Sequence, residues 1–334
     1  MRSFRKIVIS LVILLAFVFG LNSVSRYMYE SVRNNIVFAR EELEENKGTI
    51  DTLLLGTSLV HWGLDPEVID EELGVKSFNL ATSAQPLSGS YYLLKDQVKS
   101  NPIKTVFLGV SVPGMVNDYD KDTPVKLGVF DRISSPAVKA EYMAAVAEFK
   151  EYEQFLFFPT RVVNVLDTKA VKRNVAYKKS EEFKEKISPD YAPYIYYGMG
   201  FESKEEVYDG SFNDEKLGND AIWNRDRIVD VNVEYIKKTA QFCNDNGIEL
   251  NLVIFPHSYE FARLQGDLSD MDKYMEELSA EIGAELYNYN FTVRQDIYDI
   301  MTNDCYQDKK HFNKKGAGRF AELLCSDYKE TSLK

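Results

Sequence analysis

The sequence has few of the residues that build disulfide frameworks and metal centres. Its 334 residues include only three Cys and three His. The cysteines, Cys243, Cys305 and Cys325, are too few for a disulfide framework and too scattered for a zinc site. One disulfide between Cys305 and Cys325, or none at all, are both open from the sequence. No His, Cys and Asp cluster has the spacing of metal ligands, so we predict no metal site and no cofactor.

Nucleotide-binding motifs and an excess of positive charge are also absent. The chain contains neither G-x-G-x-x-G nor G-x-x-x-x-G-K-[ST], which argues against a nucleotide enzyme. Its 40 Lys and Arg are outnumbered by 52 Asp and Glu, for a formal charge of −12. Because phosphate backbones bind basic surfaces, we predict no nucleic-acid partner. With 45% hydrophobic and 28% charged residues, the composition is that of a globular protein.

The N-terminus carries the longest apolar run. Arg2, Arg5 and Lys6 precede a nearly uninterrupted apolar stretch over residues 7–21. No small-x-small cleavage site follows it, which favours an uncleaved anchor over residues 1–24; a cleaved signal peptide is the alternative. The basic start places the N-terminus inside and the remainder outside. We therefore predict a single-pass protein of the cell membrane with an extracytoplasmic domain.

The next segment, residues 25–48, is highly charged and has apolar residues at Val32, Ile36, Val37 and Phe38. This pattern predicts a stalk helix that rises from the membrane and partly docks on the domain.

After the stalk, predicted strands alternate with predicted helices. The strands cover residues 50–55, 75–80, 104–110, 249–255 and 284–289. The first helix begins at Pro66, behind Asp65 as cap, and the others cover residues 88–99, 228–245, 269–282 and 314–324. This alternation predicts an α/β fold over residues 49–330, a three-layer α/β/α sandwich with a central parallel sheet.

Residues 115–227 interrupt the alternation. Helices are predicted over residues 137–154 and 160–175, and a Tyr-rich loop over residues 191–197. We interpret the region as a helical insertion that caps the carboxyl ends of the strands, where ligands of open α/β sheets bind. The tyrosines are expected to pack a lid rather than to stack on sugar rings. The apolar residues 155–159 favour a core strand of the insertion over a surface that meets the bilayer or a partner.

Ser58 is the first candidate catalytic residue, because it stands where the first strand leads into a loop and a helix. Gly56 permits a sharp turn, and Thr57 keeps its surroundings small. A serine at this edge faces solvent beside backbone N–H groups that can stabilise an oxyanion. The alternative is a serine that simply follows a strand, and G-T-S alone does not decide between the two.

The second candidate group precedes the last helix, in the sequence Asp308-Lys309-Lys310-His311. The spacing i, i+3 lets Asp308 reach the Nδ1–H of His311, while the other ring nitrogen faces outward. Asn313 is predicted to cap the helix that follows. A serine nucleophile needs such a base and orienting acid. A polar turn before a surface helix is the alternative.

Together these two groups resemble the SGNH, or GDSL-type, hydrolase superfamily. The resemblance covers about residues 48–325, with the insertion unmatched. It implies an SGNH or flavodoxin-like fold and an esterase or acyltransferase activity. By the same resemblance, Ser58 is the nucleophile, His311 the base and Asp308 the orienting carboxylate.

Two further motifs of that superfamily match in part. Where its members have N-L-G-x-x-G, residues 79–84 read N-L-A-T-S-A. The resemblance makes the N–H groups of Ser58 and Ala84 oxyanion donors, provided that φ at Ala84 is negative. Where its members have G-x-N-D, residues 109–112 read G-V-S-V. The hydroxyl of Ser111 then takes the place of the Asn side chain as third donor.

Three other residues are predicted to contact substrate. His257 follows the fourth strand and either binds substrate or, less favoured, replaces His311 as base; a loop histidine satisfied by backbone is equally favoured. His61 lies three residues after Ser58 but has no paired acid in the sequence around it, so we expect it only to line the pocket. Gln85, beside Ala84, is the third.

A strand that ends in Ser-x-Pro, an N-terminal anchor and an outward-facing domain are similar to the envelope branch of the superfamily. That branch includes lipoteichoic-acid D-alanylation and alginate O-acetylation proteins. The resemblance implies acyl transfer to or from an envelope glycan or teichoic-type polymer, beside a membrane-bound O-acyltransferase as partner. The alternatives are a secreted esterase or deacetylase with the same triad, and a non-catalytic binding or scaffold protein.

Overall fold

The computed structural model describes residues 2–30, 36–162, 166–210 and 217–333. The chain forms two compact units, Met1–Asn34 with Ala147–Pro193, and Asn35–Val146 with Tyr194–Lys334. The predicted insertion over residues 115–227 is therefore divided, because its central part belongs to the unit that contains the N-terminus.

The larger unit is an α/β structure built on one parallel sheet. The strands of the protein are β1 (Thr52–Leu55), β2 (Ser77–Asn79), β3 (Thr105–Val110), β4 (Ile195–Gly198), β5 (Phe201–Ser203), β6 (Glu249–Ile254) and β7 (Glu285–Asn288). Five of them form a parallel sheet in the order β2-β1-β3-β6-β7. All five predicted strands are thus confirmed. In open sheets with this order, ligands bind outside the carboxyl ends of the strands where the order reverses, here between β1 and β3.

The helices are numbered along the chain. They are α1 (Arg2–Tyr29), α2 (Ile36–Glu45), α3 (Ser58–His61), α4 (Pro66–Leu73), α5 (Leu87–Gln97), α6 (Val112–Val116), α7 (Thr123–Arg132), α8 (Pro136–Val146), α9 (Tyr152–Leu156), α10 (Thr168–Tyr177), α11 (Glu181–Lys184), α12 (Asp230–Asp245), α13 (Tyr259–Ala262), α14 (Leu268–Ile282), α15 (Ile297–Ile300) and α16 (Lys314–Ser332). The helix predicted over residues 137–154 is divided, since a 3-10 turn at Phe149–Glu151 separates α8 from α9.

Several helix ends follow from the local sequence. Asp65 caps α4 by accepting a hydrogen bond from the Glu67 amide at 3.2 Å. Asn313 caps α16 by accepting one from the Gly316 amide at 2.9 Å. Both caps are as predicted, because short polar side chains satisfy the free N–H groups of a first turn.

An aromatic core lies between the sheet and α16. The ring of Phe320 on α16 lies 4.8 Å from that of Phe255 and 4.9 Å from that of Tyr289, centroid to centroid. Phe312, which follows His311 in the chain, lies 5.3 Å from the same ring. Burial of such rings stabilises a core by several kcal/mol each. This core therefore fixes the start of α16 against the sheet.

The three cysteines are buried and free. The disulfide between Cys305 and Cys325 that the sequence left open is therefore not present.

The predicted Tyr-rich loop is wrong in part, because β4 pairs with β5 as an antiparallel ribbon. Tyr196 of β4 is buried, and its hydroxyl donates to the Glu42 carboxylate of α2 at 2.6 Å. At the turn of the ribbon, the Met199 carbonyl accepts from the Asn79 amide at 2.9 Å. Gly200 adopts φ +80°, and a Cβ there would lie 2.0 Å from the Asn79 carbonyl oxygen. The ribbon therefore lies directly against the end of β2.

The predicted stalk over residues 25–48 falls on two helices, since α1 ends at Tyr29 and α2 begins at Ile36. Val32 lies outside the described residues. On α2, Val37, Phe38 and Leu43 are buried in the larger unit. This part of the segment docks as expected, with Ala39 buried as well.

The smaller unit contains α1 and α9 to α11. Among the described residues, α1 is the one helix long and apolar enough to cross a membrane, with a mean hydropathy of 2.6 over its most apolar window, none of which is buried. The core strand predicted over residues 155–159 is wrong: α9 ends at Leu156, and Phe158–Arg161 forms a 3-10 turn. Leu156 is 60% exposed. Of the helix predicted over residues 160–175, the structure has α10, and residues 163–165 lie outside the described part.

Candidate active site

The backbone around Ser58 is shaped by two glycines. Gly56 follows β1 with φ +144°, and a Cβ there would lie 2.7 Å from the Val60 side chain. A Cβ at Gly109 on β3 would lie 2.3 Å from the same side chain. Only glycine leaves this space, so the chain turns sharply and α3 begins at Ser58, directly after the strand.

Ser58, His311 and Asp308 form a continuous hydrogen-bonded chain. The Ser58 Oγ lies 2.9 Å from His311 Nε2. His311 Nδ1 lies 2.9 Å from Asp308 Oδ2 and 3.1 Å from Oδ1. Because a carboxylate only accepts, the proton sits on Nδ1, and Nε2 accepts from the serine hydroxyl. The predicted convergence of the three side chains is thus present.

The Asp308 carboxylate is held by the loop that contains it. Its Oδ1 also accepts from the amides of Lys310 at 2.7 Å and His311 at 3.0 Å. Burial alone would raise the pKa of Asp308. The hydrogen bond from the His311 ring, the charge of that ring and the two amides outweigh burial and lower the pKa to about 2. The carboxylate therefore stays ionised and can stabilise an imidazolium.

The Asp308–His311 loop is closed by backbone pairing. Tyr306 and Phe312 form an antiparallel bridge, and the Gln307 amide donates to the His311 carbonyl at 2.9 Å. Asn313 Nδ2 donates to the carbonyl of Tyr306 at 3.3 Å. His311 therefore lies on a hydrogen-bonded turn that leads into α16.

His257 supports the loop of Asp308 and His311 through its Nδ1. Its Nδ1–H donates to the Lys310 carbonyl at 3.1 Å, and the next amide, of Ser258, donates to the Lys309 carbonyl at 3.3 Å. Burial, with a smaller contribution from the charge of His311, lowers the pKa of His257 to about 4. The structure matches the alternative of a loop histidine satisfied by backbone.

His61 has an acid partner, Glu202, that the sequence around it did not indicate. Its Nε2 lies 3.0 Å from Glu202 Oε1 of β5, and the two side chains are 8% and 5% exposed. Its Nδ1 is buried with no hydrogen-bond partner among the described residues. The ring therefore lies inside the protein and makes no hydrogen bond to Ser58.

Ala84 does not meet the condition on which its predicted role depends. Its φ is +53°, not negative. Ala84 lies in a turn in which the Gln85 amide donates to the Thr82 carbonyl at 3.3 Å. This left-handed conformation favours glycine and costs alanine about 1–2 kcal/mol.

Ser111 and Gln85 are both buried. The Ser111 Oγ accepts from the Gly114 amide at 3.2 Å as the cap of α6, which leaves its hydroxyl hydrogen to donate elsewhere. Leu55 pairs with Leu108, so Ser58 and Ser111 each stand three residues beyond paired positions of adjacent strands. Gln85 is 2% exposed and donates to the Ser90 hydroxyl at 2.9 Å. Gln85 thus lies in the interior, and its contact with substrate stays a prediction.

Trp62 is a neighbour of His311 that the sequence analysis missed. Its ring stacks on Tyr194 with centroids 4.5 Å apart and meets the His311 ring edge-on at 4.7 Å. Its Nε1–H donates to the Glu202 carboxylate at 3.3 Å. The spacing i, i+4 from Ser58 on one helical turn was a signal for Trp62. Glu202 lies 140 residues away, and no local pattern pointed to it.

The tyrosines of this region pack against the protein, as expected for Tyr194 and Tyr196. Besides its stacking on Trp62, the Tyr194 ring lies 5.2 Å from Lys204 Nζ. Burial, then the negative charges of Glu202 and Asp308, raise the pKa of Tyr194 to about 12. Tyr194 thus stays a neutral part of the wall beside His311.

A comparison of the sequence with protein-family models and with curated proteins finds no match to either. The interpretation of the site therefore depends on its geometry and chemistry.

Proposed function

We propose that this chain is an extracytoplasmic enzyme of the SGNH type that transfers acyl groups through an acyl-serine intermediate. One observation carries the proposal: the Ser58, His311 and Asp308 side chains form a hydrogen-bonded chain at the carboxyl end of β1. The strand order supports it, since this end of β1 borders the crevice where open α/β sheets bind ligands.

A three-layer arrangement is part of the proposal. Contacts between α4 and α16, and between α12 and both α5 and α14, support two separate helical layers. The sheet strands between them are largely buried, as in parallel sheets covered on both faces.

The reaction has two steps. The Ser58 oxygen attacks the carbonyl carbon of an ester or thioester while its proton passes to His311 Nε2. The tetrahedral intermediate collapses, and the departing alkoxide or thiolate takes that proton, which leaves an acyl-serine. An acceptor hydroxyl then gives its proton to His311 and attacks the acyl carbon. The bond from the acyl carbon to the Ser58 oxygen breaks, and that oxygen takes the proton back from His311. Asp308 stays ionised throughout.

The oxyanion donors stand at the start of α3 and at the cap of α6. In the resemblance, a glycine stands at the position of Ala84, and the left-handed backbone found there is the conformation that glycine favours. That agreement supports the resemblance although the residue differs. The Ser58 amide begins α3, and the Thr57 side chain makes no cap hydrogen bond to that helix. We therefore assign donors to the Ser58 amide and to the Ser111 hydroxyl, and leave the Ala84 amide out because its φ is positive.

The acceptor and the location follow from the resemblance and the apolar helix. We propose that α1 anchors the chain in the cell membrane and that the larger unit acts outside. There it exchanges O-acyl groups of an envelope glycan or teichoic-type polymer, beside a membrane-bound O-acyltransferase.

A fluorophosphonate probe tests the proposal, because it reacts with activated serines. We expect one adduct on Ser58 by mass spectrometry of the full chain in detergent, lost in Ser58→Ala. Ser83→Ala is the matched control, since Ser83 is an exposed serine in a neighbouring loop. No adduct on the intact chain, or an undiminished adduct in Ser58→Ala, would contradict the proposal and favour a scaffold.

The acceptor is tested separately. With a soluble acetyl ester as donor, we compare acetate release to water with acetyl transfer to an added polyol or glycan. Transfer that outpaces hydrolysis supports the acyltransferase. Rapid hydrolysis without transfer would replace it with a secreted esterase or deacetylase that uses the same three residues.

A further inference from the structure

Within the smaller unit, the C-terminal part of α1 forms hydrogen bonds with residues that follow it in the chain by more than a hundred positions. Asn22 donates through Nδ2 to the Leu156 carbonyl at 3.1 Å and accepts from the Phe158 amide at 2.7 Å. Further along α1, Lys178 Nζ donates to the carbonyls of Tyr27 and Glu30, each at 2.9 Å. The polar side chain of Asn22 within an apolar helix is thereby satisfied, as a membrane environment requires. We call α9, the turn Phe158–Arg161 and α10 the collar.

The position of the collar along α1 corresponds to one surface of a bilayer. Lys6 and Asn22 are 16 residues apart, which is about 24 Å along a helix. A hydrocarbon core is about 30 Å thick. The long side chains of Arg5 and Lys6 can extend to one surface from inside the hydrocarbon, and Asn22 then lies near the edge of the hydrocarbon at the other. The next eight residues, to Glu30, rise about 12 Å and pass through the headgroup layer.

The polarity of the collar changes in the same direction. At the level of Asn22, Leu156 is 60% exposed. Above it, the guanidinium groups of Arg26 and Arg161 lie 5.0 and 5.5 Å from the centroid of the Phe158 ring. The ammonium of Lys178 then lies at the end of α1. The order across a membrane interface is the same: first apolar side chains, then cations on aromatic rings, then ammonium groups.

The collar is also basic, in contrast to the rest of the chain. Its three segments contain four Lys and Arg and one acidic residue, Glu153, in a protein of charge −12. Ala170 and Asn174 of α10 line a cavity of about 240 Å³ together with Met28 and Tyr29 at the end of α1. The side of α10 that carries Ala170 and Asn174 therefore faces α1.

The opposite side of α10 carries the exposed residues Lys169, Lys172 and Arg173. Of the residues that the structure describes, none places a carboxylate within ion-pair distance of Lys169 or Lys172, and Arg173 lies over the Tyr191 ring at 4.5 Å. A basic face on a helix that packs beside a candidate membrane span is suited to anionic headgroups.

We propose that the collar is a membrane-interface element that inserts Leu156 at the edge of the hydrocarbon and binds anionic lipid headgroups through Lys169, Lys172 and Arg173. The continuity of the collar with α1 identifies the bilayer as its partner. The collar thereby holds α1 as a permanent part of the smaller unit, which a cleaved signal would not be.

The depth of Leu156 tests the first half of this proposal. The full chain, with a spin label on Leu156→Cys, is placed in lipid nanodiscs, and label accessibility to oxygen and to a water-soluble nickel complex is measured. The native cysteines are buried, and burial raises the pKa of Cys243 and Cys325 to about 12, so they react slowly. We expect oxygen to dominate at position 156. The nickel complex should dominate at Glu181→Cys, an exposed control in the same unit. Equal access of nickel to both labels would overturn the insertion.

The lipid charge tests the second half. We compare the binding of spin-labelled phosphatidylglycerol and phosphatidylcholine to the full chain in nanodiscs, before and after K169Q, K172Q and R173Q are combined. We expect a preference for phosphatidylglycerol that falls about fivefold for each charge removed. The pair K150Q and K184Q is the control, because those lysines already face Glu148 and Glu181. An unchanged preference would overturn the headgroup site. Neither readout involves Ser58, so the outcome is independent of the proposed activity.

Discussion

Acidification should destabilise the protein through His257, because the fold holds this ring neutral. Burial lowers the pKa of His257 from its ordinary value of 6.5 to about 4. Above pH 6.5 the ring is neutral in both the folded and the unfolded chain. Between pH 6.5 and 4 the unfolded chain binds the proton first, so stability is lost as pH falls through this window.

The size of the effect follows from these two pKa values. Their difference corresponds to about 3 kcal/mol in the free energy of unfolding, reached near pH 4. The groups that face the ring are Lys310 and His311, which disfavour its charge, and Asp308, which favours it. This figure of about 3 kcal/mol is an upper limit on the loss of stability, because the protein relaxes around a buried charge.

The variant His257→Asn isolates this contribution. An asparagine amide can still donate to the Lys310 carbonyl, but it does not titrate. The native chain and the variant, each at full length in detergent, are unfolded with urea at pH 7 and at pH 4.5. We expect the native chain to lose about 2–3 kcal/mol more than the variant between the two pH values. Equal losses would refute the assignment of a buried, neutral imidazole.

Three further outcomes are expected. Asp308→Asn should lower the rate of fluorophosphonate labelling by about 10³–10⁴-fold, because an amide does not hold the proton on His311 Nδ1. Asp304→Asn, in the same loop, should leave the rate unchanged. Equal labelling rates for the two variants would exclude Asp308 from the site. In the same assay, Trp62→Ala should slow labelling by about tenfold, because the ring beside the imidazolium is lost, and Trp62→Phe should slow it less. A rate equal to that of the native chain would make Trp62 a packing residue only. Ala84→Gly should stabilise the chain by about 0.5–1 kcal/mol in urea unfolding, because relief of the left-handed strain exceeds the entropy that glycine adds to the unfolded chain. A loss of stability would show that the alanine conformation is unstrained.

Local features of the site could be predicted from the sequence because their physics is local. Asp308 and His311 are three residues apart, so one turn brings carboxylate and ring together. The Asn313 cap and the strand after residue 50 depend on neighbours in the chain in the same way.

Other parts of the site depend on contacts between distant residues. Glu202 reaches His61 and Trp62 only because the ribbon of β4 and β5 lies against the end of β2. The φ of Ala84 is set by a turn that no sequence pattern for alanine would indicate. The collar likewise required the Asn22 contacts, since residues 155–159 alone read as a buried strand.

The sequence by itself determined the alternation of strands and helices, the apolar N-terminal helix and the Asp308–His311 pair, because hydrophobic periodicity and short-range hydrogen bonds act over a few residues. Only the tertiary structure decided that Ser58 meets His311 across 253 positions, and that His61 and His257 turn inward to Glu202 and Lys310. Such meetings depend on the order of strands in the sheet and on which buried polar groups find partners, and both are settled only when the whole core closes.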